Sequence, residues 1–497
     1  MSQTVRTGFS PDIDLAARRL GGMVLEATDE FFAPKERLLE PTEPVFDPDG
    51  FDDRGKLMDG WETRRRRSDG HDACVIRLGV PGVIHEVIVD TTHFRGNAPS
   101  TCWLEGCLTD GHPPDDQTRW FSVLGETAVS PHGRHSFEPE TLARVTHVRF
   151  AIAPDGGVAR LRLHGRPLPD LREVADPNGR LDLAAAANGG RAVGCSDEFF
   201  SSPHNLLMVG DARDMSDGWE TRRRRGPGED WAIIELATTA SLDRIEVDTT
   251  HFKGNFPDRC IVEGLHAPGT EPAALPAEGW VELVPAASMQ PHFRHRLDVR
   301  DDTPVSHIRV RVLPDGGIAR LRAFGTVDEA GWRHHGLDQL NHAEQARAET
   351  DLLACCGSTA WAREVAARRP FRDPGHLAAA ADEVWAGVDV DDHLEAFAAH
   401  PRIGERSAER WSSQEQAGAA SAEDATLQAL ADGNRTYEER FGHVFLICAT
   451  GKSADEMLVA LRERLDNDPE TERHVAAEEQ RQITHLRLDK LLRDGRP

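Results

Sequence analysis

One long sequence pattern occurs twice in this chain. The nine residues 59–67, Asp-Gly-Trp-Glu-Thr-Arg-Arg-Arg-Arg, recur letter for letter at 217–225, an offset of 158 (217 − 59). The block 89–97, Val-Asp-Thr-Thr-His-Phe-Arg-Gly-Asn, recurs at 247–255 with lysine in place of its arginine and the same offset. These blocks are mostly polar, charged or glycine, whereas apolar positions between them have changed. A duplicated core tolerates apolar exchanges of similar volume, so retained polar blocks indicate either shared chemistry or shared strict geometry.

Further blocks extend the duplication across about two thirds of the chain. Residues 130–135 match 290–295, and residues 154–162 match 314–322, both with an offset of 160 (290 − 130). Near the start, 29–32 matches 197–200 with an offset of 168 (197 − 29). Because the offset changes only between blocks, the length differences fall where surface loops accept them. We therefore predict three domains, at residues 1–172, 173–328 and 329–497.

Each copy has the pattern of an antiparallel β-sandwich. Apolar and polar residues alternate in 84–90 and 147–152, and again in the matching segments 242–248 and 307–312. Period-two alternation between frequent turn signals is typical of such sandwiches. The Pro-Asp-Gly-Gly quartets supply turns of this kind.

The last third of the chain is predicted to be helical. From Gly336 onward glycine and β-branched residues become fewer, while Ala, Leu, Glu and Arg dominate. Asp468 followed by Pro469 is a helix start, with the aspartate as N-cap and proline in the first helical position. That helix should run toward Leu492, in an all-α bundle.

Composition excludes several classes of partner. A chain of 497 residues is expected to form about three domains at ~150 residues each. The formal charge of −26 argues against nucleic acid, whose phosphates require a basic surface. No run of 18 apolar residues predicts a membrane span, and the polar first 20 residues do not resemble a secretory signal. The eight cysteines show no disulfide framework, which favours reduced thiols in the cytoplasm.

The four-arginine runs are candidate anion sites. In a strand, Arg64 and Arg66 would face one way together with Glu62, and two guanidinium groups can hold a carboxylate. The second copy places Glu220 and Arg222 in the same relation. The alternative is that these arginines form surface ion pairs of little energetic effect. Retention of the whole block in both copies favours the functional interpretation.

Histidines also recur in both copies. His93 and His251 precede a Gly-Asn turn, where histidine can carry a proton or bind a metal. His-x-x-His pairs at 132–135 and 292–295 have a spacing found in metal sites, but without Cys, Asp or Glu partners the signal is weak. The alternative for each is a structural hydrogen bond.

Together these blocks resemble allantoicase, which cleaves allantoate into ureidoglycolate and urea. The resemblance covers residues 20–326 and implies two jelly-roll modules acting on a carboxylate that bears two ureido groups. It implies acid–base groups to expel urea and arginines to hold the carboxylate. It leaves open which copy carries the site and whether a divalent metal takes part; no other cofactor is implied. The implied catalytic residues are Glu62, His93, Glu220 and His251, and the implied substrate-binding residues are Arg64, Arg134, Arg222 and Arg294.

The helical third carries a second set of candidate residues. His400 ends a helix-like run, where the helix dipole favours imidazolium. Ser412 or Ser413 can cap a helix with Glu415 or Gln416 at its third position, which alone would be a capping box. Arg487 shares a helix face with Ile483 and is expected to point inward, toward an anionic partner. The apolar run 445–449 is a core segment by default.

These motifs are similar to the OHCU decarboxylase family. OHCU is 2-oxo-4-hydroxy-4-carboxy-5-ureidoimidazoline, which this all-helical family converts to (S)-allantoin. The similarity rests on 355–361, 369–371, His-Pro-Arg-Ile-Gly at 400–404, the serine and Glu-Gln at 412–416, 441–448 and 486–488. It implies no cofactor. It implies His400 and Glu415 as catalytic residues and a substrate pocket lined by Pro401, Ser412, Gln416, Phe445, Ile447 and Arg487.

The sequence thus predicts a bifunctional ureide-pathway enzyme. Its ligands are expected to be small-molecule ureides, its location cytoplasmic and its assembly homo-oligomeric. The alternative is that the sandwiches are ligand-binding or assembly modules attached to an active decarboxylase. Such modules usually rely on exposed aromatic side chains, whereas the retained blocks here carry mainly Glu, Arg, His and Asp.

Overall fold

The computed structural model describes residues 9–400 and 424–495. The chain divides into two compact units, one ending at Gly331 and the other beginning at Trp332. The first unit contains both repeats as β-structure, and the second is helical. The predicted fold class, two all-β sandwich domains followed by an all-α domain, is confirmed.

The first repeat is organised around one strand of 19 residues, β6. Short 3-10 helices at Arg18–Leu20 and Lys35–Leu39 lie between its early strands. The strands are β1 (Ile13–Asp14), β2 (Met23–Ala27), β3 (Phe51–Asp52), β4 (Gly55–Lys56), β5 (Trp61–Glu62), β6 (Asp72–Asp90), β7 (Thr101–Cys107), β8 (Phe121–Ala128), β9 (Arg134–Phe137), β10 (Arg144–Ala153), β11 (Gly157–Val158) and β12 (Arg160–Pro167).

Strand β6 changes partners along its length. Its first part pairs with β2 and β10, and its last part pairs with β9 and β12, all antiparallel. One strand therefore links the two layers of the sandwich. The two segments predicted as strands in this copy, 84–90 and 147–152, lie in β6 and β10 and are confirmed. The core between the layers includes fully buried Val87, Val89 and Leu161.

The second repeat has the same strand order. Its long strand, β16, pairs with β14 and β20 in its first part and with β19 and β22 in its last part. Between the repeats lies the short helix α1 (Leu171–Val174), and 3-10 turns occur at Ala186–Asn188, Pro203–Leu207, Met215–Asp217 and Pro272–Ala274. The strands are β13 (Arg180–Asp182), β14 (Arg191–Cys195), β15 (Trp219–Glu220), β16 (Asp230–Asp248), β17 (Arg259–Leu265), β18 (Val281–Ser288), β19 (Arg294–Asp298), β20 (Val305–Leu313), β21 (Gly317–Ile318) and β22 (Arg320–Val327).

Polar contacts join the two repeats within the first unit. Arg19 Nη1 donates to Asn205 Oδ1 at 2.8 Å, and His204 Nε2 lies 2.9 Å from the carbonyl oxygen of Ser10. The ring of Phe9 stacks on the His204 ring with centroids 5.2 Å apart. Each of these contacts joins the start of the first repeat to one segment of the second.

Among the described residues, the helices of the second unit bury two apolar clusters, one that includes Trp361 and Phe397 and one that includes Tyr437 and Met457. Asp468 accepts hydrogen bonds from the backbone N–H groups of Glu470 and Thr471, so the predicted helix start at Pro469 is confirmed. In the described part of the chain, no helix is long and apolar enough to cross a membrane. The helices are α2 (Glu329–Asn341), α3 (Gln345–Cys356), α4 (Thr359–Ala367), α5 (Pro374–Gly387), α6 (Val390–Ala398), α7 (Asp424–Phe441), α8 (Ala454–Arg464) and α9 (Pro469–Asp494).

Candidate functional site

The repeated blocks contact one another within each copy. In the first repeat, Asn97 Nδ2 donates to Glu62 Oε1 at 2.6 Å, and the Asn97 carbonyl accepts the Gly157 N–H at 2.7 Å. Thr91 Oγ1 donates to the carbonyl of Ser130 at 2.7 Å. Residues from four separate blocks therefore hold one another in place.

The second repeat contains the same contacts. Asn255 Nδ2 donates to Glu220 Oε1 at 2.6 Å, and Gly317 N–H donates to the Asn255 carbonyl at 2.8 Å. Thr249 Oγ1 donates to the carbonyl of Gln290 at 2.6 Å. Strict shared geometry thus accounts for much of the retention of these blocks, whatever chemistry they also support.

The second glycine of each Pro-Asp-Gly-Gly block packs against an aromatic ring that leaves no room for a side chain. A Cβ atom added to Gly157 would lie 1.9 Å from the ring of Phe94, and one added to Gly317 would lie 1.9 Å from the ring of Phe252. Both phenylalanines are fully buried. Since no side chain fits at that distance, the phenylalanine of one block fixes glycine in another.

The recurring histidines occupy special backbone positions. The non-glycine residues with positive φ in the described part of the chain are His93 (72°), His132 (53°), His251 (73°) and His292 (50°). His132 Nδ1 accepts the His93 backbone N–H at 2.9 Å, and His292 Nδ1 accepts that of His251 at 2.8 Å. This left-handed conformation is uncommon outside glycine, and a side-chain acceptor stabilises it in both copies.

The rings of the first histidine in each pair are also engaged. His93 Nε2 lies 3.2 Å from the carbonyl oxygen of Pro44, and His251 Nε2 lies 2.9 Å from that of Ala212. A carbonyl can only accept, so each Nε2 carries the proton in this contact. These imidazoles therefore clamp the segment that precedes each Asp-Gly-Trp-Glu block.

The His-x-x-His pairs do not share a ligand position. His135 Nε2 accepts the N–H of Ser130 at 3.2 Å, and His295 Nε2 accepts the N–H of Gln290 at 2.8 Å. The second histidine of each pair is thus turned toward its own loop. Within residues 9–400 and 424–495, no group of three or more His, Cys, Asp or Glu side chains is arranged to hold a metal ion.

The prediction that the arginine runs are strand residues is wrong. Strands β5 and β15 are two residues long and end at Glu62 and Glu220, so the arginines that follow lie in irregular chain. Arg64 pairs with Asp29 at 2.6 Å and its side chain is 64% exposed. The arginines therefore do not continue a paired strand.

Three further arginines of the runs have partners within their own repeat. Arg66 Nη1 donates to Asp72 at 2.7 Å, and its counterpart Arg224 pairs with Asp230. The Arg222 guanidinium lies over the ring of Phe199 at 4.2 Å. Arg64 and Arg222 are thus exposed, as the surface-pairing alternative expects, whereas the carboxylates bound by Arg66 and Arg224 are buried.

Glu62 is set apart from the arginines by burial. Its side chain is buried, and burial raises the pKa of its carboxyl group, while the hydrogen bond from Asn97 partly opposes that rise. Its side chain accepts a hydrogen bond from Asn97 and makes none with His93 or Arg64. Glu62 and His93 therefore do not form a direct acid–base pair.

A cavity of about 260 Å³ lies in the second repeat. It combines three guanidinium groups with three carboxylates, and all of them come from strands β16, β19 and β22 or from the segment before the Asp-Gly-Trp-Glu block. The lining residues are Gly210, Asp211, Glu246, Asp248, Arg294, Arg320, Arg322 and Phe324.

Arg294 is the predicted substrate-binding residue that lines this cavity. Its Nη2 donates to Asp211 at 2.5 Å and to Asp248 at 3.1 Å. These carboxylates raise the pKa of Arg294 through hydrogen bonds. Arg320 is buried behind it and pairs with Asp217 at 3.0 Å, so it supplies fixed positive charge.

The other predicted residues of the second repeat lie outside the cavity lining. Glu220 and Arg222 are absent from it, and His251 reaches it only indirectly, by holding Ala212 next to Asp211. Sequence reasoning missed Asp248 and Arg320 as site residues. Both belong to repeated blocks, so the duplication contained the signal, but their neighbours in those blocks were equally retained.

The first repeat has a looser version of the same arrangement. Arg134, also a predicted substrate-binding residue, lies 3.7 Å from Glu43, and its side chain is 54% exposed. Arg134 makes no hydrogen bond to Asp90, the residue that corresponds to Asp248 of the second repeat. In the second repeat Glu246 lies opposite Arg322 of the neighbouring strand. In the first repeat the corresponding residue, opposite Arg162, is Ile88.

In the helical unit, His400 lies just after α6; the residue is half-buried and its Nε2 atom is buried. Its backbone N–H donates to Phe397 at 3.2 Å. Burial and the positive charge of Arg487 together lower the pKa of His400 to about 3, and the neighbouring Gln480 side chain partly opposes the shift. Among the described residues no hydrogen-bond partner reaches its buried Nε2. The expectation that the helix end would favour imidazolium is wrong, because burial outweighs the dipole.

Helix α9 places two polar side chains toward this histidine. Arg487 is 7% exposed, so the prediction that it points inward is confirmed. Gln480 is fully buried; its Nε2 donates to the Cys356 carbonyl at 3.0 Å and to Thr484 Oγ1 at 3.1 Å. Gln480 was missed, since no motif marks it and only the fold brings it close to His400.

The apolar run 445–449 is buried and held by polar contacts on both sides. Phe445 and Ile447 are 2% and 6% exposed. Glu479 Oε2 accepts the N–H of Cys448 at 2.6 Å, and Arg464 Nη1 donates to the carbonyl of Leu446 at 2.6 Å. The remaining predicted residues of this site, Pro401, Ser412, Glu415 and Gln416, lie outside the described residues.

Comparison with known proteins assigns each unit to a family. A family model for the allantoicase repeat matches residues 13–168 and 181–328, and a model for OHCU decarboxylase matches residues 341–489. A probable allantoicase of Pseudomonas aeruginosa (strain UCBPP-PA14) is 46% identical over 322 residues, covering 64% of this chain and 97% of that protein.

Two solved structures are similar to parts of the chain. The crystal structure of allantoicase from Saccharomyces cerevisiae is 36% identical and covers 65% of this chain and 96% of that chain, with a TM-score of 0.53. A structure of OHCU decarboxylase in the presence of (S)-allantoin is 38% identical and covers 30% of this chain and 99% of that chain, with a TM-score of 0.27. For the helical unit the family model carries the assignment.

Proposed function

We propose that this chain catalyses the reactions of both families found in it. It belongs to the allantoicase family over both sandwich repeats and carries an OHCU decarboxylase domain after them. The sandwich repeats hydrolyse allantoate to ureidoglycolate and urea. The helical unit decarboxylates OHCU to (S)-allantoin.

The cavity of the second repeat supports the hydrolase assignment most directly. Allantoate carries one carboxylate between two ureido groups, so it needs a cation flanked by hydrogen-bond acceptors. Arg294 can hold a carboxylate in the bidentate manner of guanidinium groups, and Asp248 and Glu246 can accept ureido N–H groups. The lining residues thus match the charge pattern of this substrate.

Hydrolysis requires one bond exchange at the central carbon of the substrate. The C–N bond to one ureido group breaks, and that nitrogen takes up a proton as urea leaves. Water adds its oxygen to the same carbon and gives up a proton. A carboxylate beside the carbon can take that proton, and Asp248, 2% exposed and held by Arg294, lies in the cavity wall.

Decarboxylation needs a group that supplies one proton. Loss of CO₂ leaves the bonding electron pair on the ring carbon, and a proton delivered to one face of that carbon sets its stereochemistry. Burial favours the neutral form of His400, whereas the negative charge of a bound substrate carboxylate favours its protonated form. In the complex His400 can therefore take up a proton from solvent and donate it to the ring carbon. Arg487 places buried positive charge where the carboxylate and the developing anion are stabilised.

The two reactions are not consecutive. The product of the decarboxylase is a closed ring, (S)-allantoin, whereas the hydrolase acts on an open ureide acid. A ring-opening hydrolysis must therefore occur between them. Direct transfer of product between the two sites is not implied, and coordinated production of two enzymes is the simpler reason for one chain.

The remaining expectations are proposals of the same kind. We propose a homo-oligomeric, cytoplasmic enzyme whose ligands are small ureides. Nucleic acid is not proposed as a partner, because a net charge of −26 disfavours binding to phosphates. We propose no organic cofactor for either reaction. Urea release measured with and without a chelator tests whether the hydrolysis uses a divalent metal.

Two assays on the full-length protein test the bifunctional assignment. Urea and ureidoglycolate are followed after addition of allantoate, and (S)-allantoin is followed by circular dichroism after addition of OHCU. Arg294→Ala should abolish urea release only, and His400→Gln should abolish (S)-allantoin formation only. A wild-type protein that decarboxylates OHCU but releases no urea would instead support sandwiches that serve as binding or assembly modules.

A further inference from the structure

The two carboxylates bound to Arg294 differ in how firmly they are held. Asp248 is 2% exposed, and its Oδ1 also accepts the backbone N–H of Thr250 at 2.8 Å. Asp211 has a side chain that is 79% exposed, and its contacts in the structure are to Arg294 alone. Asp248 is therefore a fixed part of the wall, whereas Asp211 is a rim group that can leave.

An exposed pair of this kind is weak. Exposed ion pairs contribute little because water solvates both groups and the side chains lose freedom. A ligand carboxylate that enters the cavity can also use the wall acceptors for its neighbouring N–H groups, which Asp211 cannot do. The same guanidinium would then gain a partner with more contacts.

We propose that Asp211 is a displaceable stand-in for the substrate carboxylate on Arg294, and that this exchange occurs in the second repeat only. The inference rests on the proposed allantoate hydrolysis and names the copy that binds the substrate. The ligand class is a small carboxylic acid that carries ureido or amide N–H groups beside its carboxylate. A cavity of about 260 Å³ suits such a molecule.

The first repeat lacks the features that make this exchange possible. Glu43 stands at the position of Asp211, because Thr42 and Gly210 both accept a hydrogen bond from the equivalent buried arginine. Glu43 lies 3.7 Å from Arg134, and its side chain is 84% exposed. With no hydrogen bond from Arg134 to Asp90, the arginine of the first repeat is not oriented by a fixed carboxylate.

The test compares two matched variants of the full-length protein, Asp211→Asn and Glu43→Gln. Each replaces one exposed rim carboxylate by its amide and changes the net charge equally. Asp211→Asn should lower KM for allantoate about two- to fivefold with kcat unchanged, which is the factor expected from loss of a weak exposed pair. Glu43→Gln should change neither value.

One further measurement separates direct exchange on Arg294 from a general disturbance of the cavity. The inhibition constant of urea, a product without a carboxylate, should be the same in Asp211→Asn and wild type. An altered urea constant would overturn the stand-in role.

The outcomes also distinguish this inference from the proposed function. Wild-type protein that releases no urea removes the hydrolase assignment itself. Wild-type protein that releases urea, with KM unchanged in Asp211→Asn, removes the stand-in role alone. A KM shift in Glu43→Gln without one in Asp211→Asn places the site in the first repeat and contradicts the inference.

Discussion

Glu472→Gln should destabilise the helical unit and leave the sandwich unit unchanged. Glu472 is fully buried. Its Oε1 accepts hydrogen bonds from Arg464 Nε at 2.8 Å, from Arg464 Nη2 at 2.6 Å and from the Tyr437 hydroxyl, while Oε2 accepts from Asn467 Nδ2 at 2.7 Å. The substitution keeps the side-chain shape but removes the charge opposite Arg464.

The magnitude follows from the burial of both partners. The Arg464 side chain is 10% exposed, so without Glu472 its charge is left in a largely dry environment. Removing one partner of a buried ion pair typically costs about 3–5 kcal/mol. Glutamine retains one acceptor oxygen, so we expect the lower end, about 3 kcal/mol in the free energy of unfolding.

The network also reaches the candidate decarboxylase pocket. Arg464 Nη1 donates to the Leu446 carbonyl, next to the predicted pocket residues Phe445 and Ile447. Disturbing Arg464 should therefore lower the rate of (S)-allantoin formation. Urea release, which belongs to the other unit, serves as an internal control within the same protein.

Hydrogen exchange is the suitable assay because a chain of two units need not unfold in one transition. Peptides from α9 should lose protection in Glu472→Gln, and peptides from β6 and β16 should not. The control is the pair Arg464→Met with Glu472→Leu, which removes both charges and should restore much of the protection. A loss below about 1 kcal/mol in the single variant, or additive losses in the pair, would refute the reasoning.

Three further outcomes are expected. Burial holds the pKa of His400 near 3, below its unfolded value of about 6.5. The stabilising effect of the neutral imidazole is therefore complete above the unfolded pKa. This contribution to the free energy of unfolding falls as the pH drops from about 6.5 toward 3, by up to about 1.4 kcal/mol per pH unit. His400→Gln should be less acid-sensitive in urea denaturation between pH 6.5 and 4, and equal sensitivity would contradict the buried neutral imidazole. His251→Ala should slow urea release about tenfold or more, because it frees the segment 210–212, whose Gly210 carbonyl accepts hydrogen bonds from Arg320 and Arg322 of the cavity lining. His93→Ala should lower stability with little effect on rate, and the reverse order would move the site to the first repeat. Arg222→Ala should change the free energy of unfolding by less than about 1 kcal/mol and leave KM unchanged, and a raised KM would restore the arginine run as a substrate site.

Much of the fold could be predicted because its signals are local. Alternation in 84–90 and 147–152 identified parts of strands β6 and β10, and Asp468 with Pro469 located the start of α9. Duplication added a constraint that a single copy would lack, since two sandwiches must accommodate the same blocks. Strand alternation and helix capping depend on neighbours a few residues away, so the letters suffice.

The candidate sites were less accessible from the sequence for a physical reason. Both Arg222 and Arg294 belong to retained blocks, yet Arg222 lies over Phe199 and Arg294 lines a cavity with Asp211 and Asp248. Nothing near either arginine in the chain distinguishes them. The difference arises from which strands lie next to each guanidinium group after folding.

The charge of His400 shows the same limit. Its position after a helix predicted imidazolium, because the helix dipole is a local effect. Burial and the positive charge of Arg487, 87 residues away in the chain (487 − 400), give a neutral ring instead. Desolvation is a property of the packed interior, and it is larger than the dipole.

The sequence by itself determined that two copies of one β-domain precede a helical domain, that the chain resembles two enzyme families, and which residue types remained in both copies. Tertiary structure alone decided that the histidines of the repeats hold backbone, that Arg64, Arg66 and Arg224 pair with aspartates of their own repeat, and that one arginine of the second copy meets two carboxylates in a cavity. Residue type sets what a group can do, but burial and partners, which come from distant parts of the chain, decide which of those roles it takes.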